Sequence, residues 1–157
     1  MLPLLPSNNT QKVQIKLLNL IDLHSLDDDA CFSGWSKFAL LEHYQQTGAL
    51  GFVAMMDKQL IGLIFARIVL DESEILTFEV KEVYREQGVG KRLLQNLLNE
   101  IKRRGARKIF LEVNETKFKA IRLYIDSGFS VISKRHNYYS SSLGQKINAL
   151  VLEYTVN

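Results

Sequence analysis

The chain has 157 residues, of which 46% are hydrophobic and 24% charged, and its formal net charge is +3. This composition is typical of a globular protein, and the length favours one domain over residues 1–157. The charge is too small to indicate nucleic-acid binding by itself, although it is compatible with anionic ligands. The single cysteine, Cys31, excludes an internal disulfide, so nothing indicates secretion.

The sequence contains no recognisable targeting or membrane-spanning segment. The first ten residues lack the basic stretch of a signal peptide, and both prolines of the chain interrupt their apolar run. No stretch approaches the roughly 18 apolar residues of a transmembrane helix. We therefore expect a cytoplasmic protein that acts without a membrane.

The N-terminal third predicts one strand and two helices. Residues 13–23 indicate a strand that runs into a helix, and residues 35–46 indicate a second helix with Ser36 as its N-cap. The glycines that follow end this helix.

Three strands are predicted next. Residues 51–56 and 59–70 are two strands joined by a tight hairpin at Asp57 and Lys58. The second strand is apolar almost throughout, which places it in the centre of a sheet with both faces covered. Residues 74–80 form the third strand of this group.

The clearest helix spans residues 88–101. Its apolar residues recur at helical spacing, with charged residues on the other side, and Gly105 follows as a terminator. The apolar positions are Val89, Leu93, Leu94, Leu97, Leu98 and Ile101.

The last third predicts three strands and a helix. Residues 108–113 form a strand, residues 117–127 a helix that Gly128 ends, and residues 129–135 and 149–156 two closing strands. The order β-α-α-β-β-β-α-β-α-β-β predicts a mixed α/β fold, with helices on both faces of a largely antiparallel sheet.

Gly88 and Gly90 stand where a strand leads into the clearest helix. The first amides of a helix have no internal acceptor, its dipole adds positive potential there, and glycine lets an anion approach the backbone. The two glycines therefore indicate a phosphate site or only a turn, and alone they do not decide between these. Their spacing matches neither G-x-x-x-x-G-K-[ST] nor G-x-G-x-x-G.

The spacing does match [RQ]-x-x-G-x-[GA], the acyl-CoA pyrophosphate loop of the GCN5-related N-acetyltransferases (GNAT). Further matching segments follow at this family's spacing: LEV at 111–113, AIRLYIDSGF at 120–129 and RHNYY at 135–139. The set resembles the RimI branch, whose members acetylate N-terminal alanines of ribosomal proteins. The resemblance is good from residue 51 to residue 156 and weak in the N-terminal third.

The resemblance implies a GNAT fold with acetyl-CoA as co-substrate. It assigns the pyrophosphate to the backbone of the glycine loop. It assigns the pantetheine arm to a gap where the strand ending at Val80 splays from the strand 108–113. The residues predicted to contact acetyl-CoA are Phe78, Val80, Arg85, Glu86, Gln87, Gly88, Val89, Gly90, Lys91 and Lys117.

Acetyl transfer from sulfur to nitrogen needs a neutral amine, and the departing thiolate needs a proton. A protein α-amine has a pKa of about 8, so mild base assistance suffices. Glu112 alternates with Leu111 and Val113 and projects from the opposite face of its strand. The strand alone favours a carboxylate that faces solvent or pairs with a lysine. The resemblance instead implies that Glu112 is the general base.

Tyr124 would be a core aromatic on its helix pattern alone. The resemblance implies that it protonates the CoA thiolate.

Glu74 and Glu79 are alternatives to Glu112 as the base. Glu74 begins its strand near the place where some distant members of the superfamily use a glutamate through water. Glu79 shares a face with Thr77 and is also a candidate for substrate contact.

The resemblance places Tyr138 and Tyr139 at a peptide entrance. Neighbouring side chains of an extended chain point to opposite faces, so we expect only one of them to line the site and predict Tyr138. Trp35 either walls the peptide groove or anchors the second helix in the core.

Two other features carry weaker signals. The basic stretch 102–108 predicts the solvated end of a helix, where cations suit the dipole, because it lacks the interleaved aromatics of a single-strand nucleic-acid binder. His24, His43 and His136 do not have metal-ligand spacing with Cys31, so no metal site is predicted.

The chain departs from the family pattern at several positions. Lys117 stands where an asparagine usually contacts the CoA arm, and Asn114 lies nearby but out of register. Ser140 replaces a proline, and Ile147 and Asn148 replace an acidic pair. These changes leave acyl-CoA binding expected and the peptide specificity open.

The resemblance therefore implies direct acetyl transfer in a ternary complex to a primary amine. The acceptor expected is the N-terminal α-amine of an Ala or Ser in a protein such as a small-subunit ribosomal protein. One alternative, motivated by the lost acidic pair, is a small amine such as a polyamine or an antibiotic. Another, motivated by Lys117, is a CoA-binding module without catalysis.

Overall fold

A computed structural model describes residues 12–157 of the protein. It contains one large sheet, a small two-stranded sheet and four α-helices in that part of the chain. The elements in chain order are β1 (Gln14–Leu17), α1 (Leu20–His24), β2 (Cys31–Phe32), β3 (Trp35–Ser36), α2 (Lys37–Tyr44), β4 (Ala49–Met56), β5 (Gln59–Val69), β6 (Glu72–Val80), a 3₁₀ turn (Glu82–Tyr84), α3 (Val89–Arg103), β7 (Lys108–Asn114), α4 (Phe118–Asp126), β8 (Ser130–Ser140) and β9 (Lys146–Thr155).

The large sheet has seven strands in the order β1-β4-β5-β6-β7-β9-β8. Every neighbouring pair is antiparallel except β6 and β7, which are parallel. The predicted mixed α/β fold with a largely antiparallel sheet is confirmed. β5 lies between β4 and β6 and is buried over most of its length, which confirms its predicted central position.

A tight turn and a helix N-cap, both predicted from the sequence, mark where two elements begin. Asp57 and Lys58 have φ values of 49° and 64°, as a two-residue hairpin between antiparallel strands requires. The Ser36 hydroxyl accepts the Ala39 amide at 3.2 Å, so the predicted N-cap is confirmed. The prediction that this helix begins at Trp35 is wrong, because Trp35 pairs with Phe32 in the β2–β3 hairpin.

Two apolar clusters lie on opposite faces of the sheet. The first cluster packs α3 and α4 on one face, and the second packs α1, α2 and β2 on the other. Every residue of the predicted apolar stripe of α3 is buried, and each such side chain contributes roughly 1.5–3 kcal/mol on burial. None of the helices within residues 12–157 is long and apolar enough to cross a membrane.

Among the strands of residues 12–157, the parallel pair β6–β7 is the shortest strand pairing of the large sheet. β6 and β7 pair through three residues each, Glu72–Glu74 with Lys108–Phe110. The β5–β6 register then shifts between Phe65 and Ala66, which leaves Leu76 as an extra residue in β6. A β-bulge of this kind bends a strand. The C-terminal parts of β6 and β7 therefore diverge and open a gap in the sheet, as the resemblance implied.

Candidate active site

The N-terminus of α3 lies at the open end of the β6–β7 gap and presents free backbone donors. Gly88 precedes the helix with a φ of 82°, a conformation that favours glycine. The first helical hydrogen bond runs from the Arg92 amide to the Gly88 carbonyl at 3.1 Å. Within residues 12–157, the backbone amides from Glu86 to Lys91 have no protein acceptor. This arrangement fits an anionic group such as a pyrophosphate.

Side chains of the same loop hold its shape. Arg85 Nε donates to the Val80 carbonyl at 2.8 Å, and its Nη2 lies 3.7 Å from Glu79 Oε1. Gln87 Nε2 donates to the Val83 carbonyl at 3.2 Å. These two predicted acetyl-CoA residues therefore use their side chains to fix the loop. The Gln87 amide is left for the ligand, whereas the Arg85 amide donates to the Glu82 carbonyl at 3.1 Å.

Phe78 and Val80 form the wall of the gap beside α3. A Cβ placed on Gly90 would lie 3.5 Å from Phe78 Cζ and 3.8 Å from Val80 Cγ2. The Phe78 ring centroid lies 6.1 Å from that of Tyr124 on α4. The structure therefore brings the predicted CoA loop, the apolar wall and the predicted acid to one region.

Glu112 projects from β7 on the face opposite Leu111 and Val113, and its side chain is 22% exposed. Its Oε1 lies 3.0 Å from Arg135 Nε on β8. β9 separates the two strands, and their registers on β9 bring both residues to the same face. The carboxylate therefore neither faces solvent freely nor pairs with a lysine. Sequence reasoning missed Arg135, since only the three-strand register shows this contact.

Tyr124 lies on α4 and is 7% exposed. Its ring packs against Phe129 with centroids 5.7 Å apart. Burial raises the pKa of the Tyr124 phenol above its usual range, and the nearby Tyr139 phenolate would raise it further. The phenol therefore stays protonated at neutral pH, as a proton donor must.

The two tyrosines of β8 do not point to opposite faces, so that expectation is wrong. The rings of Tyr138 and Tyr139 pack edge to face with centroids 5.0 Å apart. The strand register is irregular between Arg135 and Tyr139, and Asn137 has a φ of 56°. Tyr138 is 50% exposed, with the Arg135 guanidinium 5.3 Å from its ring centroid.

Tyr139, which sequence reasoning passed over in favour of Tyr138, lies close enough to Glu112 and Tyr124 for its charge to interact with theirs. Burial raises its pKa, and the charges of Tyr138 and Glu112 raise it further. Tyr139 also contributes to the raised pKa of Tyr124. Its side chain is half-buried, so it is a second candidate for substrate contact beside Tyr138.

Glu79 attaches the β2–β3 hairpin to the end of β6. Its Oε2 accepts the Ser33 amide at 2.8 Å, and the Ser33 hydroxyl donates to the Phe78 carbonyl at 3.0 Å. Ser33 and Gly34 form the turn of this hairpin with φ values of 50° and 84°. The sequence signal that could have predicted the hairpin is this Ser-Gly dipeptide.

Trp35 is half-buried in β3 and packs against the second apolar cluster. Its ring centroid lies 4.3 Å from that of His43. This contact fits the core-anchor interpretation, and the partial exposure leaves the groove interpretation open to test. Glu74 is exposed and lies opposite Phe110 where β6 and β7 are still paired, away from the open end of the gap.

Of the departures from the family pattern, Asn148 has a structural role, and so has Asn114 near Lys117. Lys117 is exposed at the N-terminus of α4. Asn114 Oδ1 accepts both the amide and the hydroxyl of Thr116, at 2.8 and 2.7 Å, so this oxygen is committed to the turn before α4. Asn148 Oδ1 accepts the Asn137 amide at 2.9 Å and braces the β8–β9 hairpin.

The basic stretch 102–108 lies at the C-terminal end of α3, as predicted. Four of its five cations have local partners. Lys102 Nζ lies 5.1 Å from the Tyr154 ring centroid, and Lys108 Nζ lies 3.4 Å from Glu153 Oε2. Arg103 and Arg104 donate to Glu100, and these bonds lower the pKa of its carboxyl to about 2.

Other possible sites do not overlap with this region. Two surface cavities of about 410 and 380 Å³ are lined by none of the predicted site residues. Within residues 12–157, no three or more His, Cys, Asp or Glu side chains are arranged to hold a metal ion.

Comparisons with known proteins agree on one family. The sequence profile of the acetyltransferase (GNAT) family matches residues 20–129. The [ribosomal protein bS18]-alanine N-acetyltransferase of Haemophilus influenzae is 31% identical over 139 residues, which are 88% of this chain and 94% of that protein.

Solved structures extend the comparison. The ribosomal-protein-S18-alanine N-acetyltransferase from Escherichia coli has a TM-score of 0.82 at 27% identity, over 93% of this chain and 95% of that one. Arabidopsis thaliana NAA60 in complex with acetyl-CoA has a TM-score of 0.78 at 22% identity, over 93% of this chain and 99% of that one, and so shares the fold.

Proposed function

The chain belongs to the acetyltransferase (GNAT) family, and from that premise we propose that it acetylates the N-terminal α-amine of a protein. It is an acetyl-CoA-dependent N-acetyltransferase, so the resemblance inferred from the sequence is confirmed. The observation that carries the proposal is the position of three features around the β6–β7 gap. The glycine loop with its free amides lies beside Phe78, and the Tyr124 ring centroid lies 6.1 Å from that of Phe78. Glu112 lies on the part of β7 beyond its pairing with β6.

The glycine loop and the gap supply the binding part of the mechanism. The amides from Glu86 to Lys91 donate to the pyrophosphate, and the α3 dipole adds to the attraction. Lys117 lies at the start of α4 as a further cation. Phe78 and Val80 give the pantetheine arm an apolar wall. Acetyl-CoA, when bound, supplies the acetyl group as a thioester.

Two side chains handle the protons. Glu112 accepts the proton that the amine loses as its nitrogen attacks the thioester carbonyl, directly or through a water. Arg135 holds Oε1 of this carboxylate, which leaves Oε2 for the amine. Tyr124 donates its phenolic proton to the sulfur as the carbon–sulfur bond breaks. A neutral phenol at neutral pH suits this step.

The acceptor we propose is the N-terminal alanine or serine of a small-subunit ribosomal protein. The activity named for the Haemophilus influenzae relative, a [ribosomal protein bS18]-alanine N-acetyltransferase, supports an alanine of ribosomal protein bS18 as the acceptor. Tyr138, Glu79 and Trp35 border the acceptor side. We take residues 1–157 as one catalytic domain, because both apolar clusters pack on one sheet. The lone cysteine supports a cytoplasmic location.

A panel of acceptors tests this function. Thiol release from acetyl-CoA is followed with peptides that begin with Ala, Ser, Met or Gly. A peptide with a blocked N-terminus and an internal lysine is the matched control. We expect turnover with Ala or Ser peptides at least tenfold above the blocked peptide.

The same panel includes polyamines and aminoglycosides, because Ile147 and Asn148 replace the acidic pair near the acceptor side. Preference for a small amine over every peptide would move the function to that substrate class. Acetyl-CoA binding without turnover on any acceptor would show a binding module and contradict catalysis.

A further inference from the structure

One residue of the glycine loop has the wrong charge for an anion site. Glu86 lies beside the free amides at the start of α3 with a φ of 60°. A carboxylate there repels a pyrophosphate, and such repulsion acts over a Debye length of roughly 8–10 Å at physiological ionic strength. The loop therefore needs a compensating positive charge to bind its proposed ligand well.

Lys119 supplies a positive charge at this place. Its ammonium donates to the Glu86 carboxylate from the first turn of α4, across the open end of the β6–β7 gap. This contact lowers the pKa of Glu86, so the carboxylate is charged at neutral pH and its neutralisation depends on Lys119. The two side chains are 70% and 84% exposed, so the pair adds little to fold stability.

A second cation on α4 offers a comparison. Arg122 Nε lies 3.7 Å from Asp126 Oδ2 of the same helix. The side chains of Arg122 and Asp126 are 83% and 66% exposed. That pair has the usual i,i+4 geometry of a helix surface. The Glu86–Lys119 pair instead links the CoA loop to α4, two parts of the chain 33 residues apart.

We propose that Lys119 is a positioning residue. By neutralising the charge of Glu86, it raises the affinity of the glycine loop for the acyl-CoA pyrophosphate. This inference rests on the proposed binding of acetyl-CoA at that loop. Lys119 offsets the charge of Glu86 without contacting the phosphates, so removing both charges together leaves affinity as it was.

A double-mutant cycle tests this at low salt, with the Kd for acetyl-CoA measured by calorimetry. Coulomb's law for one charge about 7 Å from two phosphate charges in water gives a change of about three- to fivefold. We expect Lys119→Gln to weaken binding by that factor and Glu86→Gln to tighten it similarly. The double variant is expected within twofold of the wild type. At 1 M salt the differences of both single variants from the wild type shrink below twofold.

Controls separate this role from others. Arg122→Gln is the matched variant, and we expect its Kd within twofold of the wild type. Equal melting temperatures for all variants exclude an effect on folding, and Arg122→Gln should keep the kcat of the wild type. The cycle is repeated with 3′-dephospho-CoA, which keeps the pyrophosphate, and the same pattern is expected.

Several results overturn the inference. A double variant as weak as Lys119→Gln would make Lys119 a direct phosphate ligand. If all variants had the Kd of the wild type, the pair would be a surface contact without a role in binding. If the differences in Kd disappeared with 3′-dephospho-CoA, the charges would act on the 3′-phosphate and not on the pyrophosphate. If the wild type bound no acetyl-CoA, the proposed function would fail first and take this inference with it.

Discussion

The carboxylate of Glu112 combines a fixed position with access to a substrate. Arg135 holds one oxygen at 3.0 Å, and the side chain remains 22% exposed. Of the three candidate bases, Glu79 is engaged by Ser33 and Arg85, and Glu74 lies where β6 and β7 are still paired. Glu112 is therefore the candidate that lies on the part of β7 beyond its pairing with β6 and whose Oε2 has no partner within residues 12–157.

We predict that Glu112→Gln lowers kcat by about 10²- to 10⁴-fold, the usual contribution of a general base. The KM for acetyl-CoA should change by less than threefold, because the glycine loop is untouched. Steady-state thiol release with an Ala peptide measures both. Glu74→Gln is the control and should keep full activity. Equal losses in the two variants would rule out a specific role for Glu112.

We predict that Tyr124→Phe lowers kcat at least tenfold while the Kd for acetyl-CoA changes by less than twofold. The ring keeps its packing against Phe78 and Phe129, and only the proton donor is lost. Because burial raises the pKa of the phenol, ionisation of Tyr124 should cause no loss of wild-type activity up to about pH 10. A parallel loss of affinity and kcat would mark Tyr124 as a packing residue.

Single residues differ in how far their roles follow from the sequence. Strand alternation was enough to put Glu112 on the face opposite Leu111. It could not reveal Arg135 as the partner, since that contact depends on two registers through β9. The local backbone of Asn137 turns Tyr138 and Tyr139 toward each other, and no periodicity rule predicts such a turn.

The start of α3 is the element on which ligand binding depends, and its two glycines should respond differently to alanine. Gly88 has a φ of 82°, so an alanine there is strained by about 1 kcal/mol and turns the loop amides. Gly90 has ordinary helical geometry, and an added Cβ meets Phe78 only at 3.5 Å. Alanine at this second position therefore suits the helix.

We predict that Gly88→Ala weakens acetyl-CoA binding at least tenfold, whereas Gly90→Ala stays within threefold. Gly90→Ala should also raise the free energy of unfolding by about 0.5–1 kcal/mol, as Gly-to-Ala changes inside helices do. Calorimetry and urea unfolding of both variants give these values. Equal affinity of Gly88→Ala and wild type would show that the loop backbone does not hold the pyrophosphate.

The other end of α3 gives a prediction about pH. Glu100, whose side chain is 14% exposed, binds Arg103 and Arg104, which lower the pKa of its carboxyl from 4.5 to about 2. A lowered folded-state pKa stabilises the protein above the unfolded-state value of 4.5. That stabilisation is lost as the pH falls through about 2.

Glu100→Gln should therefore lower the free energy of unfolding at pH 7 by about 1 kcal/mol, a value kept small because both arginines are partly exposed. The difference from wild type should shrink as the pH falls from about 5 to 2. Urea unfolding at several pH values measures it, with Asp126→Asn as a control that changes little. A difference that is constant with pH would exclude this ion-pair contribution.

Elements with strong periodicity were predictable, and elements fixed by tertiary contacts were not. The apolar repeat of α3 predicted a helix over 88–101, and the helix spans Val89–Arg103. The β2–β3 hairpin has two residues in each strand, too few for any period, and its place depends on Thr77 and Glu79 of β6. β8 runs on to Ser140, beyond the predicted end at residue 135, because it pairs with β9.

At the scale of the whole molecule, the proposed active site depends on one short strand pairing in the large sheet, that of β6 with β7. Four strands lie on one side of the β6–β7 contact and three on the other, and only Glu72–Glu74 and Lys108–Phe110 pair across it. The gap beyond them brings the loop before α3 and the side chain of Tyr124 on α4 together. The order of the helices and of the strands of the large sheet could be predicted from the sequence, but the β2–β3 hairpin could not. The bulge at Leu76 that opens the gap has no recognisable sequence pattern either.

The most direct test of the account is to locate the acetyl group on a peptide that offers a choice of amines. The peptide begins with a free alanine and contains an internal lysine, and it is incubated with acetyl-CoA and the protein before fragmentation by mass spectrometry. The account predicts one acetyl group on the alanine α-amine, and almost none when Glu112→Gln replaces the wild type. Acetylation of the lysine alone, or the same α-amine product from both proteins, would contradict it.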